Sequence, residues 1–410
     1  MNLTMIPFIS VLHDGDEIGR IVGKLTRELG SGGISVSLGS GRQDSPSAVA
    51  FAIITGGTER LALDAIGNDG DPVLLLAHTL HNSLPAALEI AATLHQRGRK
   101  ATIFLLGGRE GSLEELKRHI SLQETRARLM QSRIGLIGGA SEWLTASSPD
   151  PETVRAAWGP LMVPLEMEEF LKRRERIPEA EYVRVAEDFL RGAGELREAR
   201  RDDIMESARL YCALRRTADK YSLQALTIRC FDLLAALGAT GCLGLSRLND
   251  EGVVAGCEGD VPATLTMLWA YYLTGKPSFM ANPQDISPGE SLIEFAHCTV
   301  PLSLVKEFSL RSHFESSQGA ALEGTFENGP VTVARVGGLT LKELFVTDGE
   351  LITHHPREGR CRTQATVRTQ EPPGHLLSSP LGNHHLIFAG HHAGELREFH
   401  KLYIKERTLP

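Results

Sequence analysis

The first third of the chain switches repeatedly between short apolar runs and segments of helical period. Residues 3–12 read as a strand and residues 16–29 as an amphipathic helix. Residues 34–38 and 48–54 are further strands, the second a buried run ending in Thr55-Gly56-Gly57-Thr58-Glu59. A fully apolar strand over 73–77 precedes a helix over 84–97 and a strand over 101–106. Strands alternating with helices predict a parallel, doubly wound sheet, whose ligands gather at the carboxyl ends of the strands. Here those ends carry residues 55–59 and 78–83.

A polar helix over 112–133 leads to Ile134-Gly135-Leu136-Ile137-Gly138-Gly139, a new strand running into a turn. Helices follow over 178–191, 202–220 and 223–237, and then an apolar strand over 252–255. Beyond residue 286 the period changes to short β-like segments (331–336, 344–346, 364–367, 386–389) separated by Gly, Pro and Asn, with a closing helix over 393–405. The predicted class is α/β: two doubly wound (Rossmann-like) domains over 1–130 and 131–285, then an antiparallel β-barrel-like domain over 286–410.

Composition narrows the function. The 410 residues carry a net charge of -8, with Lys and Arg dispersed except at 172–176, which reads as the solvated end of a helix. That is no nucleic-acid footprint. No apolar run reaches the roughly 18 residues that span a bilayer, and residues 1–13 carry no targeting pattern, so no membrane partner and a cytoplasmic location are expected. The six cysteines form no Cys-x-x-Cys pair, which argues against zinc and redox motifs and for buried free thiols. Gly-x-Gly-x-x-Gly and Walker loops are absent, so no nucleotide cofactor is expected. A Gly-x-Ser-x-Gly elbow is absent too.

The richest chemistry lies in Gly256-Cys257-Glu258-Gly259-Asp260-Val261-Pro262, two carboxylates at the junction of an apolar strand and a helix. Asp260 is balanced between the helix N-cap and a second functional carboxylate. Ten of the fifteen histidines fall between His297 and His400, with Asn383-His384-His385 and His391-His392 beside a strand. Adjacent strand residues face opposite ways, so at most one of His384 and His385 faces a given site. Carboxylates with one imidazole suit Mn²⁺ or Mg²⁺ better than structural zinc. His297, ending an apolar run, and His313, within 311–316, offer further polar groups for hydroxyls.

Three segments resemble the L-fucose isomerase and L-arabinose isomerase superfamily, especially its fucose-isomerase-like branch. Residues 255–260 look like its Cys-Glu-x-Asp motif. Asn383-His384 followed by Gly390-His391 is similar to its metal-histidine strand. Thr58, Glu59 and Asn82 lie in segments like its N-domain loops. The resemblance implies a Mn²⁺-dependent aldose–ketose isomerase working through an enediol on a modified or acidic sugar. Glu258 would be ligand and acid/base group, with Asp260 as a second catalytic carboxylate, and His384 the imidazole ligand. His297, His313, Asn383, Thr58, Glu59 and Asn82 are the substrate-binding candidates. It also implies a homo-oligomer, often a hexamer, with a neighbouring subunit completing the site. Two departures stand out. Asn282 occupies the position of the second metal carboxylate, where Asp260 or Asp285 would have to compensate, and the family's His-Cys-Gly-Asn is His297-Cys298-Thr299-Val300 here. The alternative they raise is a sugar-binding or otherwise diverged non-isomerase on the same scaffold.

Overall fold

A computed structural model describes residues 1–39, 47–68, 70–107, 111–352 and 356–404. The chain separates into two compact units, Met1–Arg128 with Glu398–Pro410, and Leu129–Arg397. Among the described residues no helix is long and apolar enough to cross a membrane.

The first unit is built on five parallel strands: β1 (Asn2–Phe8), β2 (Ser35–Leu38), β3 (Ala48–Ile53), β4 (Val73–Ala77) and β5 (Ala101–Leu105), in the order β2-β1-β3-β4-β5. Parallel neighbours need crossover helices, and these cover both faces. Leu3, Met5, Ala50 and Leu74 pack with Ile18, Leu25 and Leu29 on one side. Ile6, Phe8, Phe51 and Leu75 pack with Ala62, Ile66, Ala87 and Ile90 on the other. The strand predicted over 3–12 stops at Phe8, and helix Gly15–Ser31 begins where the Asp14 carboxylate accepts the amides of Asp16 and Glu17. Strand order reverses at β1; the loops after β3 and β4 carry Thr58 and Asn82, and Glu59 opens the helix Glu59–Ile66.

The second unit opens with β6 (Arg133–Ile137) and β7 (Leu161–Leu165), followed by the short β8 (Glu195–Leu196), β9 (Ala225–Ile228) and β10 (Val254–Cys257). Four of these make a second parallel sheet, ordered β10-β9-β6-β7. The continuous helix expected over 223–237 is incorrect: Ala225–Ile228 is a central strand, and the helix is only Phe231–Leu237. A four-residue strand buried on both faces has no alternating pattern, so its apolar run merges with the helix behind it.

The later strands pair antiparallel with one another. Strands β11 (Phe279–Ser287), β12 (Leu292–His297), β13 (Val305–Arg311), β14 (Ala321–Phe326), β15 (Gly329–Gly337), β16 (Glu343–Ile352), β17 (Thr363–Thr369) and β18 (His385–Ala389) follow in turn. Six close into a barrel, β11-β12-β17-β16-β15-β18, while β14-β13-β8 form a small side sheet. The barrel starts at Phe279, ahead of the compositional change near residue 286. Helix Val261–Thr274 joins β10 to the barrel and is buried throughout Val261–Ala270, consistent with its all-round apolar sequence.

Candidate metal centre and active site

Glu258 sits in the turn between β10 and helix Val261–Thr274, in the left-handed region at φ +61°. For a non-glycine residue that conformation costs about 1–3 kcal/mol and persists only where its surroundings impose it. Here the amide of Ser141 donates to the Glu258 carbonyl at 2.9 Å. Gly259 also has positive φ, and a Cβ there would lie 2.4 Å from the Gly139 carbonyl oxygen. The Gly138-Gly139 turn after β6 is thus the support on which the Glu258 turn rests. Both loops lie at carboxyl ends of the same parallel sheet, where such folds place ligands.

Three side chains converge: Glu258, His297 at the end of β12, and His384 just before β18, with ligand-capable atoms all within 4.8 Å of one another. Glu258 Oε2 accepts the Trp143 indole N–H at 2.7 Å. Its Oε1 lies 3.5 Å from His384 Nε2, close enough for charge attraction but without hydrogen-bond alignment. His297 Nδ1 is 2.9 Å from Thr299 Oγ1, which leaves Nε2 for the cluster. Asp260 Oδ2 meets His384 Nδ1 at 3.0 Å and Arg335 Nη1 at 3.2 Å, while Oδ1 accepts the Ala263 amide at 2.8 Å.

Charge follows from this arrangement. Burial alone would raise the Glu258 carboxyl, but His384, His297 and the Trp143 N–H overcome it and hold it at about 2. Burial would likewise raise Asp260, yet Arg335 and His384 keep it below the ordinary carboxylate range. Burial opposes the His384 cation, and the carboxylates of Asp260 and Glu258 win, lifting it to about 9. His297 is pushed down to about 3 by burial and by its neighbour His384. An ionised Asp260 only accepts hydrogen bonds, so it fixes the proton of neutral His384 on Nδ1 and turns the Nε2 lone pair toward Glu258.

The donor set fits a divalent ion. His384 Nε2 is buried without a hydrogen-bond partner, as is Asn282 Oδ1 on β11, and Asn282, Glu258 and His297 line one cavity. A buried polar atom without a partner costs free energy unless a cation or water meets it. The cluster also differs from the set named from sequence. Its second imidazole, His297, was expected at the substrate, while Asn282 stands at the cavity wall.

The other candidates divide. His313 lines the same cavity, its Nδ1 3.1 Å from Ser316 Oγ, and burial together with Arg362 lowers its pKa. Asn383 is exposed, and its Oδ1 accepts the His384 amide at 2.8 Å, which shapes the turn into β18. His385 turns away toward Phe345 and Phe295, as strand alternation requires. Asp285 is exposed on β11, with Arg357 4.0 Å away. Thr58, Glu59 and Asn82 belong to the first unit: Thr58 Oγ1 donates to the Thr55 carbonyl, Glu59 accepts the Gly57 amide at 3.3 Å, and Asn82 has φ +55°. Two contributors went unnamed from sequence. Arg335 had a signal, a lone cation inside the apolar run 331–336. Trp143 lies in an irregular segment with none, while Glu315, within the 311–316 run, lines the cavity beside His313.

No family model matches the chain. It is similar to curated sulfoquinovose isomerases: 24% identical over 231 residues to that of Priestia aryabhattai (54% of this chain, 51% of the relative). Against that of Alkalicoccus urumqiensis it is 25% identical over 232 residues (55% and 52%), and against that of Clostridium sp. (strain MSTE9) 25% over 243 (58% and 54%). The chain spans about half the length of the curated relatives it matches.

Proposed function

We propose that this protein is a metal-dependent aldose–ketose isomerase acting on an acidic sugar of the sulfoquinovose type. The observation that carries it is the Glu258–His297–His384 cluster beside the orphaned Asn282 oxygen, in a chain similar to sulfoquinovose isomerases. Glu258 Oε1, His297 Nε2 and His384 Nε2 would hold the ion, with Asn282 Oδ1 as a neutral fourth ligand. Two imidazoles shift the preference from Mg²⁺ toward Mn²⁺ or a later first-row ion. When bound, such an ion supplies Lewis-acid polarisation of a carbonyl and stabilises the charge of an enediolate.

The chain's own residues then divide the proton work. Isomerisation moves one proton between neighbouring carbons and another between their oxygens. Glu258, ionised at any working pH, takes and returns the carbon-bound proton. His313, neutral near pH 7 and held at Nδ1 by Ser316, relays the proton between the oxygens through Nε2. Each such group is worth about 10²–10⁴ in rate. Asp260, sealed behind His384, acts as a positioning residue. The enclosed space is about 40 Å³, room for an ion's water or two but not a hexose, so the sugar lies across the cavity mouth with only its reacting carbons inside.

The test is turnover of sulfoquinovose and a panel of neutral aldoses by protein loaded with Mn²⁺, by chelated protein and by Glu258→Gln. Ketose formed from the acidic sugar by the loaded native protein alone supports the proposal. A ligand that binds equally well with and without chelator, with no turnover of any sugar, points instead to a binding protein on an isomerase scaffold.

A further inference from the structure

Five of the six cysteines line the cavity at the metal centre: Cys230, Cys242, Cys257, Cys298 and Cys361. All are free thiols. They are not evenly spread. Cys242 and Cys298 share a buried cluster with Ala321, against which Cys361 packs. Cys230 and Cys257 form a separate pair, with Sγ atoms 3.1 Å apart. The pairing is imposed by the sheet. Ile228 of β9 and Cys257 of β10 are register partners, and Cys230 follows two residues later at the start of helix Phe231–Leu237. The Cys257 backbone is further held by Thr227 Oγ1, which donates to its carbonyl at 3.3 Å, and by Met280 Sδ, which accepts its amide at 3.5 Å. Two thiols 27 residues apart are therefore kept face to face by rigid elements rather than by a chance loop approach.

We propose that Cys230 and Cys257 are a dithiol modification site that a peroxide closes into a disulfide. A disulfide needs its sulfurs about 2.05 Å apart, so the pair must close by about one ångström. The cavity of about 40 Å³ that both residues line admits a molecule the size of hydrogen peroxide. The chemistry balances as two thiols plus one peroxide giving one disulfide and two waters. Cys230, the less buried of the two, attacks a peroxide oxygen through sulfur; the O–O bond breaks, and the departing oxygen leaves as water. Cys257 sulfur then displaces hydroxide from the Cys230 sulfenic acid, the S–S bond forms, and the hydroxide takes up the Cys257 proton. The two electrons that reduce the peroxide come from the thiol pair. Cys257 is joined directly to Glu258, which holds a costly left-handed backbone conformation. Closing the disulfide shifts the turn that aims the Glu258 carboxylate, so oxidation at the pair weakens the metal centre.

The full chain, metal-free, is treated with equimolar hydrogen peroxide, digested without reductant and mapped by mass spectrometry. The expected product joins the Cys230 and Cys257 peptides, disappears on reduction, and is absent from Cys230→Ser. A cross-link between Cys298 and Cys361 appearing first, or sulfinic acid on either residue without a cross-link, overturns the assignment, and native protein suffices to read both. Mn²⁺ affinity of the oxidised native protein is then compared with its reduced form. This arm rests on the metal-centre proposal; the cross-link does not. A loss of at least tenfold, restored by reduction, is expected, and equal affinity in a fully cross-linked sample removes the link to Glu258.

Discussion

Asp260 Oδ2 lies 3.0 Å from His384 Nδ1, and both side chains are completely buried. This pair decides the charge and the tautomer of the imidazole that faces Glu258. Without a metal, His384 holds a second proton up to about pH 9, whereas Glu258 is already ionised and His297 already neutral at pH 7. Binding of a divalent ion must expel the Nε2 proton of His384 and no other from the cluster. Between pH 6 and 8, calorimetry in buffers of different ionisation enthalpy should find one proton released per ion. Mn²⁺ affinity should rise about tenfold per pH unit and level off near pH 9.

The same shift governs the stability of the chelated protein. His384 has a folded-state pKa raised above its unfolded value of 6.5. Its contribution is therefore fully present below about pH 6.5 and is lost as pH rises through 9. Chelated protein should melt at progressively lower temperature from pH 7 to 9. Asp260→Asn, which removes the main partner, should flatten that trend.

Arg335 is fully buried on β15 and ties Asp260 to the Leu381 carbonyl at 2.9 Å and Ser147 Oγ at 2.7 Å. Arg335→Met takes away the guanidinium partner of the buried Asp260 charge and leaves it only His384 and the Ala263 amide, a change that costs about 3–5 kcal/mol. The double variant with Asp260→Asn should lose less than the sum of the single losses, because the stranded charge is gone. Denaturant melts of the four proteins measure the coupling.

The fold and the candidate metal centre differ in how far they can be read from residues alone. Strands 73–77 and 101–106 were visible because their apolar runs are bounded by charge and Gly, and the barrel segments because Gly, Pro and Asn punctuate them. Strand Ala225–Ile228 was hidden because burial on both faces erases the period that separates strand from helix. Glu258 and His384 were recognisable as polar groups at the ends of apolar strands. The grouping of His297 with them is created by closure of the barrel, which brings β12 and β18 to the two sides of β11. No local pattern encodes that juxtaposition. The role of Asp260 behind His384 depends on Arg335, 75 residues away in sequence, for the same reason.

Asn282→Asp replaces a buried, unpartnered amide oxygen at the cavity wall with a charged one. A carboxylate there strengthens attraction for a divalent ion, and Mn²⁺ affinity should rise by roughly tenfold or more, about 1.4 kcal/mol. Without metal the added charge faces Glu258, so the chelated variant should be less stable than the native protein. Titration and melting of both forms test the two signs together.

Trp143→Phe keeps the edge-on contact with Phe231, whose ring centre is 5.0 Å away, and removes only the N–H that Glu258 accepts. A hydrogen bond to a charged group is worth about 1.5–3 kcal/mol. The variant should fold normally and lose about tenfold in kcat/KM, measured with the Mn²⁺-loaded protein.

The central claim is that Glu258, His297 and His384 hold a metal that carries sugar isomerisation. Its most direct measurement follows sulfoquinovose in deuterated water with native protein, His297→Ala and chelated native protein, each quenched with excess chelator before proton NMR. The account predicts ketose formation with solvent deuterium entering next to the carbonyl in the native Mn²⁺ sample, and neither change in the other two. Equal conversion in the chelated sample, or undiminished turnover by His297→Ala, would contradict it.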